Sequence, residues 1–313
     1  MAAHSERGAV AAVVVGGVVT AVLSAKDPIH AFAEGIDDQE RRASAKFVLV
    51  VLVVYPLLPD QRLDALLGLN PRFVWLMVVF VSSLSFGAYV LSRVIGAERG
   101  IAVTGLLGGF VSSTATAVSM AEQAAENRSL YQVCAFSTII AATVMFPRAL
   151  VEVAVVNADL LPLVAVPLGV MTVVAAVAAV LVYWRAAARE ATDAAIDNPF
   201  RLRPALFFGA VFAIILLVSE YANAWLGASG VYATAFVSGL ADVDAITLTL
   251  SRLAEEGTVS APVATTGIVL AAVANTLVKA GIAWVIGTRR LGQLVTAVLG
   301  AAAVAGLLIV VFL

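Results

Sequence analysis

Six ionisable residues lie inside long apolar runs of this chain: Arg148, Glu152, Glu220, Asp242, Asp244 and Lys279. Placing such a group within a bilayer costs roughly 2.5–3.5 kcal/mol on insertion scales, so each is first read as functional. Asp242 and Asp244 stand two apart in Gly239-Leu-Ala-Asp242-Val-Asp244. That spacing does not share a helix face, but in an unwound turn both carboxylates can point into one cavity and ligate a cation or carry a proton. The competing structural reading has Asp242 capping a helix and Asp244 cancelling the charge of Lys279. Asn275 and Thr276, one turn before Lys279, can add neutral oxygens to the same site. Arg148 has a ready neutraliser in Glu152 at i+4. Glu220, beside Tyr221 near the end of an apolar run, reads as interfacial.

A second polar cluster precedes the first by a fixed distance. At an offset of 130 residues four consecutive apolar segments align without a gap, bringing Gly109 to Gly239, Ala115 to Ala245 and Glu126 to Glu256. Within that alignment Gly108-Gly109-Phe-Val-Ser112-Ser113-Thr114-Ala115-Thr116 falls on Ser238-Gly239-Leu-Ala-Asp242-Val-Asp244-Ala245-Ile246. Glycine beside hydroxyl or carboxylate residues inside an apolar run marks one helix ending and another beginning, with the polar residue as N-cap. Backbone groups freed at membrane depth are tolerated only inside protein or along a cavity. Matching interruptions in two halves point to a transporter binding site, whereas the plainer alternative is two kinked helices packed through small residues. Ser112, Ser113, Thr114 and Thr116 are the first-half counterparts of the aspartates, and their hydroxyls and helix-start N–H groups suit a cation or an anion.

These residues require a membrane scaffold. The 313 residues are 62% hydrophobic and 13% charged, outside the range of soluble domains. We expect an all-α polytopic membrane protein of about ten hydrophobic segments, forming one membrane domain over residues 1–313. The segments are Gly8–Ser24, Lys46–Leu58, Phe73–Val94, Gly100–Ala121, Leu130–Val156, Leu160–Trp184, Pro204–Leu226, Ser229–Leu250, Pro262–Gly287 and Leu291–Leu313. Residues 1–44 hold an N-terminal span and polar loop, 73–184 the first repeat and 203–313 the second. Aromatic residues such as Trp75, Tyr131, Trp184 and Trp225 fall near segment ends, as interface anchors do. Val10 to Leu23 also fits a signal-peptide core, against which Glu6 argues. Pro56 and Pro59 end the short second segment.

Net charge of −2 and the absence of a basic aromatic patch exclude nucleic acid as a partner. One cysteine, Cys134, and two histidines outside the apolar runs, His4 and His30, offer neither a disulfide framework nor a zinc site. No cofactor is expected.

The Lys and Arg distribution selects a topology. If all ten segments cross, the loops and tails carry nine such residues on one side and eight on the other. If the two interrupted segments re-enter, the tally is four (Arg7, Arg62, Arg72, Arg252) against thirteen. Only the second arrangement obeys the positive-inside rule. It gives each repeat three crossings, so the repeats are inverted and their hairpins dip in from opposite faces.

Several stretches resemble a membrane domain family of unknown function that forms the C-terminal half of MgtC/SapB-type proteins. They are Lys46-Phe47 leading to Pro56-Leu-Leu-Pro59-Asp60, the Gly-Gly-Phe-Val-Ser-Ser-Thr-Ala-Thr-Ala string ending at Ala117, Gly239-Leu-Ala-Asp242-Val-Asp244-Ala-Ile-Thr247, and Asn275-Thr-Leu-Val-Lys279-Ala. By this resemblance we expect the four-span region usual in front of the domain to be reduced here to a candidate last span, Gly8–Ser24. The resemblance implies a prokaryotic inner-membrane protein and names no substrate.

The residues together lead us to expect a secondary transporter of a small inorganic cation, divalent ions included, coupled to H+ or Na+ at Asp242 and Asp244. Rival readings are an anion carrier using Lys279 and Arg148, and a non-transporting scaffold or regulator. An intramembrane aspartyl protease needs two acids from different helices, and the first repeat supplies Ser and Thr instead, so we expect no enzyme. The bilayer and the ion are the expected partners, with self-association left open.

Overall fold

The computed structural model describes residues 53–63, 68–95, 100–186 and 202–312, with Arg42, Ala45 and Val48 as isolated helical positions. The chain divides into two compact units, Met1–Lys46 and Phe47–Leu313, and both polar clusters belong to the second. The expected segment Gly8–Ser24 and nearly half of Lys46–Leu58 lie outside the described residues. Where that second segment is described, helix runs over 53–57 and stops between Pro56 and Pro59.

The described residues are helical, without strands beyond one bridge between Leu63 and Leu69. The helices are α1 (Pro71–Ile95), α2 (Gly100–Glu126), α3 (Tyr131–Val156), α4 (Leu161–Ala186), α5 (Leu202–Leu226), α6 (Ala228–Ala241), α7 (Val243–Glu255), α8 (Ala261–Val285) and α9 (Arg289–Val311). Five are long and apolar enough to cross a membrane: α3, α4, α5, α8 and α9. Pro71–Ser83 and Ala228–Ala241 form shorter apolar helices. Lipid is thus the natural solvent for this chain.

Both expected interruptions are present, 130 residues apart. In α2 the helix breaks at Ser112 (φ −163°, ψ 100°), and between α6 and α7 it breaks at Asp242 (φ −156°, ψ 130°). Each break is capped alike. Ser112 Oγ accepts from Ala115 N–H at 3.2 Å, and Asp242 Oδ1 accepts from Ala245 N–H at 3.0 Å, as an N-cap side chain does.

Glycines fix the direction of the broken pieces. A Cβ on Gly105 would lie 2.9 Å from Ser137 Cα, and one on Gly109 would lie 2.6 Å from Ala141 Cα. Both partners advance by four, so the first half of α2 runs parallel to α3, so close that only glycine fits. The second half joins α3 through a tight turn in which Asn127 Oδ1 accepts from Ser129 N–H, and so runs antiparallel to it. The two halves therefore fold back on each other at Ser112. A Cβ on Gly108 would touch Thr116 Oγ1 at 2.5 Å, whereas eight residues of continuous helix rise about 12 Å.

The second half repeats this arrangement. A Cβ on Gly239 would lie 2.5 Å from Ala271 Cα, and one on Gly267 3.5 Å from Ala235 Cβ, so α6 runs parallel to α8. Its ends meet as a fold-back requires: Asn223 at the close of α5 donates from Nδ2 to Thr258 O, just after α7, at 2.8 Å. Arg62 bonds Glu220 on α5 at 3.3 Å and also Glu256 after α7. Glu220 accordingly sits within two turns of the end of α5, in an ion pair. Because Gly109 and Gly239 meet Ala141 and Ala271, both tips lie near the middle of α3 and α8.

Three helix contacts recur in the two halves. α1 on α2 answers α5 on α6, α3 on α9 answers α8 on α4, and α7 on α3 answers α2 on α8.

Candidate functional site

The second tip carries its chemistry to the first through Arg148. On α3, its guanidinium donates from Nη1 to Phe110 O in the first tip at 3.0 Å. It also pairs through Nη2 with Asp244 Oδ2 in the second at 2.6 Å. Its Nε faces Glu152 Oε1 at 3.4 Å, one turn along the same helix. The competing sequence expectation that Asp244 cancels Lys279 is corrected here: its partner is Arg148, because α7 packs on α3 and presents Asp244 there. The expected Arg148–Glu152 pair forms. Glu152 is fully buried, and its Oε2 has no hydrogen-bond partner.

Lys279 on α8 is also fully buried. Its ammonium donates to Asn275 Oδ1 and lies 3.6 Å from Met145 Sδ on α3. Asn275 in turn donates from Nδ2 to Gly239 O at 3.0 Å. The two tips are therefore closed off alike. Each first half-helix ends in carbonyls without helical donors, and one of these is taken by Arg148 at Phe110 and one by Asn275 at Gly239. Lys279 stands within electrostatic reach of Asp242 and Asp244, too far for an ion pair.

The remaining expected residues take different places. Asp242 caps α7 and lies within electrostatic reach of Arg148. Thr116 Oγ1 donates back to Ser112 O at 3.0 Å, and Thr276 Oγ1 to Ala272 O at 2.8 Å. Both hydroxyl hydrogens are thus engaged within the chain's own turns. Ser113 and Thr114 are half-buried at the first tip.

Met145 and the Phe110 and Gly239 carbonyls join the site without a sequence pattern that announces them, and Glu152 is more than the neutraliser its spacing suggests. A signal for one further feature is present. Pro147 sits inside α3 and cannot donate to the Thr143 carbonyl, which leaves a backbone oxygen without its helical donor at the depth of the site.

Two cations and three carboxylates gather here, with one negative charge in excess when all are ionised. Buried charges are strongly destabilising unless balanced, so the arrangement suits one added cation or proton. Oxygen donors such as these suit hard cations. Among the described residues no group of three or more His, Cys, Asp or Glu forms a metal cluster.

Comparison with known proteins yields a relative in Aquifex aeolicus (strain VF5), described as an uncharacterized protein. It is 31% identical over 191 residues, which is 60% of this chain and 83% of that one. No solved structure matches. Residues 79–287, which contain both tips and every charged residue of the site, match the family described as a domain of unknown function, DUF4010. The chain belongs to that DUF4010 family.

Proposed function

We propose that this protein is a secondary transporter of a small inorganic cation, coupled to protons or sodium, whose ion site lies where the tips of two re-entrant hairpins meet. The observation that carries the proposal is the Arg148 bridge between Phe110 and Asp244, set among an excess of carboxylates at mid-depth. Broken helices with polar tips are how secondary transporters expose backbone and charge to an ion inside a bilayer. In this reading the bound cation displaces Arg148 from Asp244, and Asp242 and Asp244 become its ligands.

In this reading each half has three crossings and one hairpin, which makes the repeat inverted. The bases of the hairpins agree with it: Glu220, Arg62 and Glu256 gather at the base of the second, on the side poor in Lys and Arg. Arg290 stacks on Tyr131 at the base of the first, on the side rich in them. By the positive-inside rule we place the latter side in the cytoplasm, in the inner membrane of a prokaryote. The likeness to the C-terminal half of MgtC/SapB-type proteins fits this reading and adds no substrate.

Anion transport is favoured by one specific observation, the full burial of Lys279 against neutral partners. Ion flux in proteoliposomes separates the two. Loss of cation flux in Asp242→Asn and Asp244→Asn, with cation selectivity retained in Lys279→Ala, is the expected result. Flux of an anion that survives the first two changes and disappears in the third overturns it.

A further inference from the structure

Resting on that reading but going past it, we infer that the site exchanges protons with one face only, along the seam between α3 and α7, with Glu152 as the proton carrier. α3 and α7 run parallel, because Asp244 meets Arg148 and, seven residues on, Ser251 O accepts from Asn157 Nδ2 at 3.3 Å. That register sets Thr247 level with Glu152. Asp244, Thr247 and Ser251 succeed one another at helical spacing on the side of α7 turned to α3.

Glu152, Thr247 and Ser251 are completely buried, and they set a line of polar side chains along the seam. Glu152 Oε2 and Thr247 Oγ1 are both without a hydrogen-bond partner. Ser251 Oγ donates to Thr247 O at 2.7 Å. Asp159, two residues beyond Asn157, is exposed. A buried hydroxyl and a buried carboxylate oxygen left unbonded are destabilising by about 1–3 kcal/mol each, which argues that a transient partner is exchanged there.

The corresponding seam in the other half is apolar. Shifting by 130 residues replaces Thr247, Ser251 and Glu152 by Ala117, Ala121 and Ile282, and Asn157 and Asp159 by Gly287 and Arg289. The backbone contact is kept, since a Cβ on Gly287 would lie 3.5 Å from Ala121 Cα. The polar groups are not. A carboxylate at one end and a guanidinium at the other also attract and repel protons respectively.

The charged groups around Glu152 are Arg148 on its own helix and Asp242 and Asp244 at the second tip. Lys279 on α8 reaches α3 at Met145. α4 and α9, which also pack on α3, carry Lys or Arg only at their ends and no Asp or Glu. In the step itself, the Ser251 hydroxyl turns away from the Thr247 carbonyl, and a proton from water beside Asp159 passes by the Ser251 and Thr247 hydroxyls to Glu152 Oε2. The carboxylate becomes a neutral acid and Arg148 turns wholly to Asp244. The proton returns by the same hydroxyls or passes on to Asp244 when the cation leaves. With the Arg-rich side in the cytoplasm, the Asp159 end faces outward.

Infrared difference spectra of the full chain in liposomes, recorded after an external pH jump, test the route. A carboxylic-acid band should appear on acidification and be missing in Glu152→Gln. It should persist but rise about tenfold more slowly in Thr247→Val and Ser251→Ala. A band that survives in Glu152→Gln, no band in the wild type, or unchanged rates in both seam variants would overturn the inference. The measurement requires no flux, so the expected band pattern in a protein that moves no ion would leave the relay standing and remove the transporter reading alone.

Discussion

Ser112 and Asp242 hold the same backbone position in the two halves, cap the next half-helix through the same bond, and sit at the same depth beside their neighbouring helix. Around the second tip lie Asp242, Asp244 and the buried Thr247, while around the first lie Ser112, Thr114 and the buried Ala117. The difference separates two roles that a single broken helix would merge. What both halves keep, the glycines and the cap, builds the hairpin; what only the second has, the carboxylates and the polar seam, is available to act on an ion. Arg148 joins them by holding a carbonyl of one and a carboxylate of the other.

The sharpest way to break this division is to remove matched residues. Asp244→Ala leaves Arg148 with Glu152 and the Phe110 carbonyl as its direct partners among the described residues, and breaking such a buried pair costs about 3–5 kcal/mol. Thr114→Ala at the matching position should stay within about 0.5 kcal/mol, as changes away from such pairs do. Thermal unfolding in detergent compares them, and equal effects would mean that the carboxylate tip is not special.

The shared part predicts equality instead. Gly109→Ala and Gly239→Ala each drive a methyl into the backbone of the next helix, at 2.6 and 2.5 Å. Both should lose about 1–3 kcal/mol by overpacking. A loss confined to one half would contradict the common hairpin.

The smallest effect separates cap from charge. Ser112→Ala removes the first cap and should cost about 1 kcal/mol, whereas Asp242→Asn keeps a capping oxygen and should change stability by only about a few tenths. Cation flux should respond in the reverse order, abolished by Asp242→Asn and little altered by Ser112→Ala.

Much of the scaffold was legible because membrane constraints are severe. A glycine with hydroxyls or carboxylates is costly inside an apolar run unless the helix breaks or packs closely there, and both breaks fell within the expected stretches. The bounds of α3, α5 and α8 fell within two residues of the expected segments. The expectation that both interrupted segments re-enter rests on the positions of Lys and Arg, read by the positive-inside rule.

The pairing inside the site was not legible. The repeat places Arg148 and Lys279 one position apart and suggests matching roles, yet Arg148 spans both tips while Lys279 meets Asn275 and Met145. Which carboxylate meets which cation depends on the crossing of α7 over α3, and no local pattern encodes that. Met145 carries no local mark of its place beside Lys279 for the same reason. Glu152 was legible as the i+4 partner of Arg148, but its second oxygen acquires meaning only once α7 lies against it.

An ion site between two hairpin tips requires hairpins that enter from opposite faces, and cysteine labelling in sealed vesicles tests this directly. In a Cys134→Ala background, Ser229→Cys and Thr258→Cys flank the second hairpin and Ser129→Cys lies just past the first, and all three positions are exposed. A membrane-impermeant maleimide should reach Ser229→Cys and Thr258→Cys from the same side and Ser129→Cys from the other. Labelling of Ser229→Cys and Thr258→Cys from opposite sides would contradict it, because residues 228–255 would then cross the membrane rather than return.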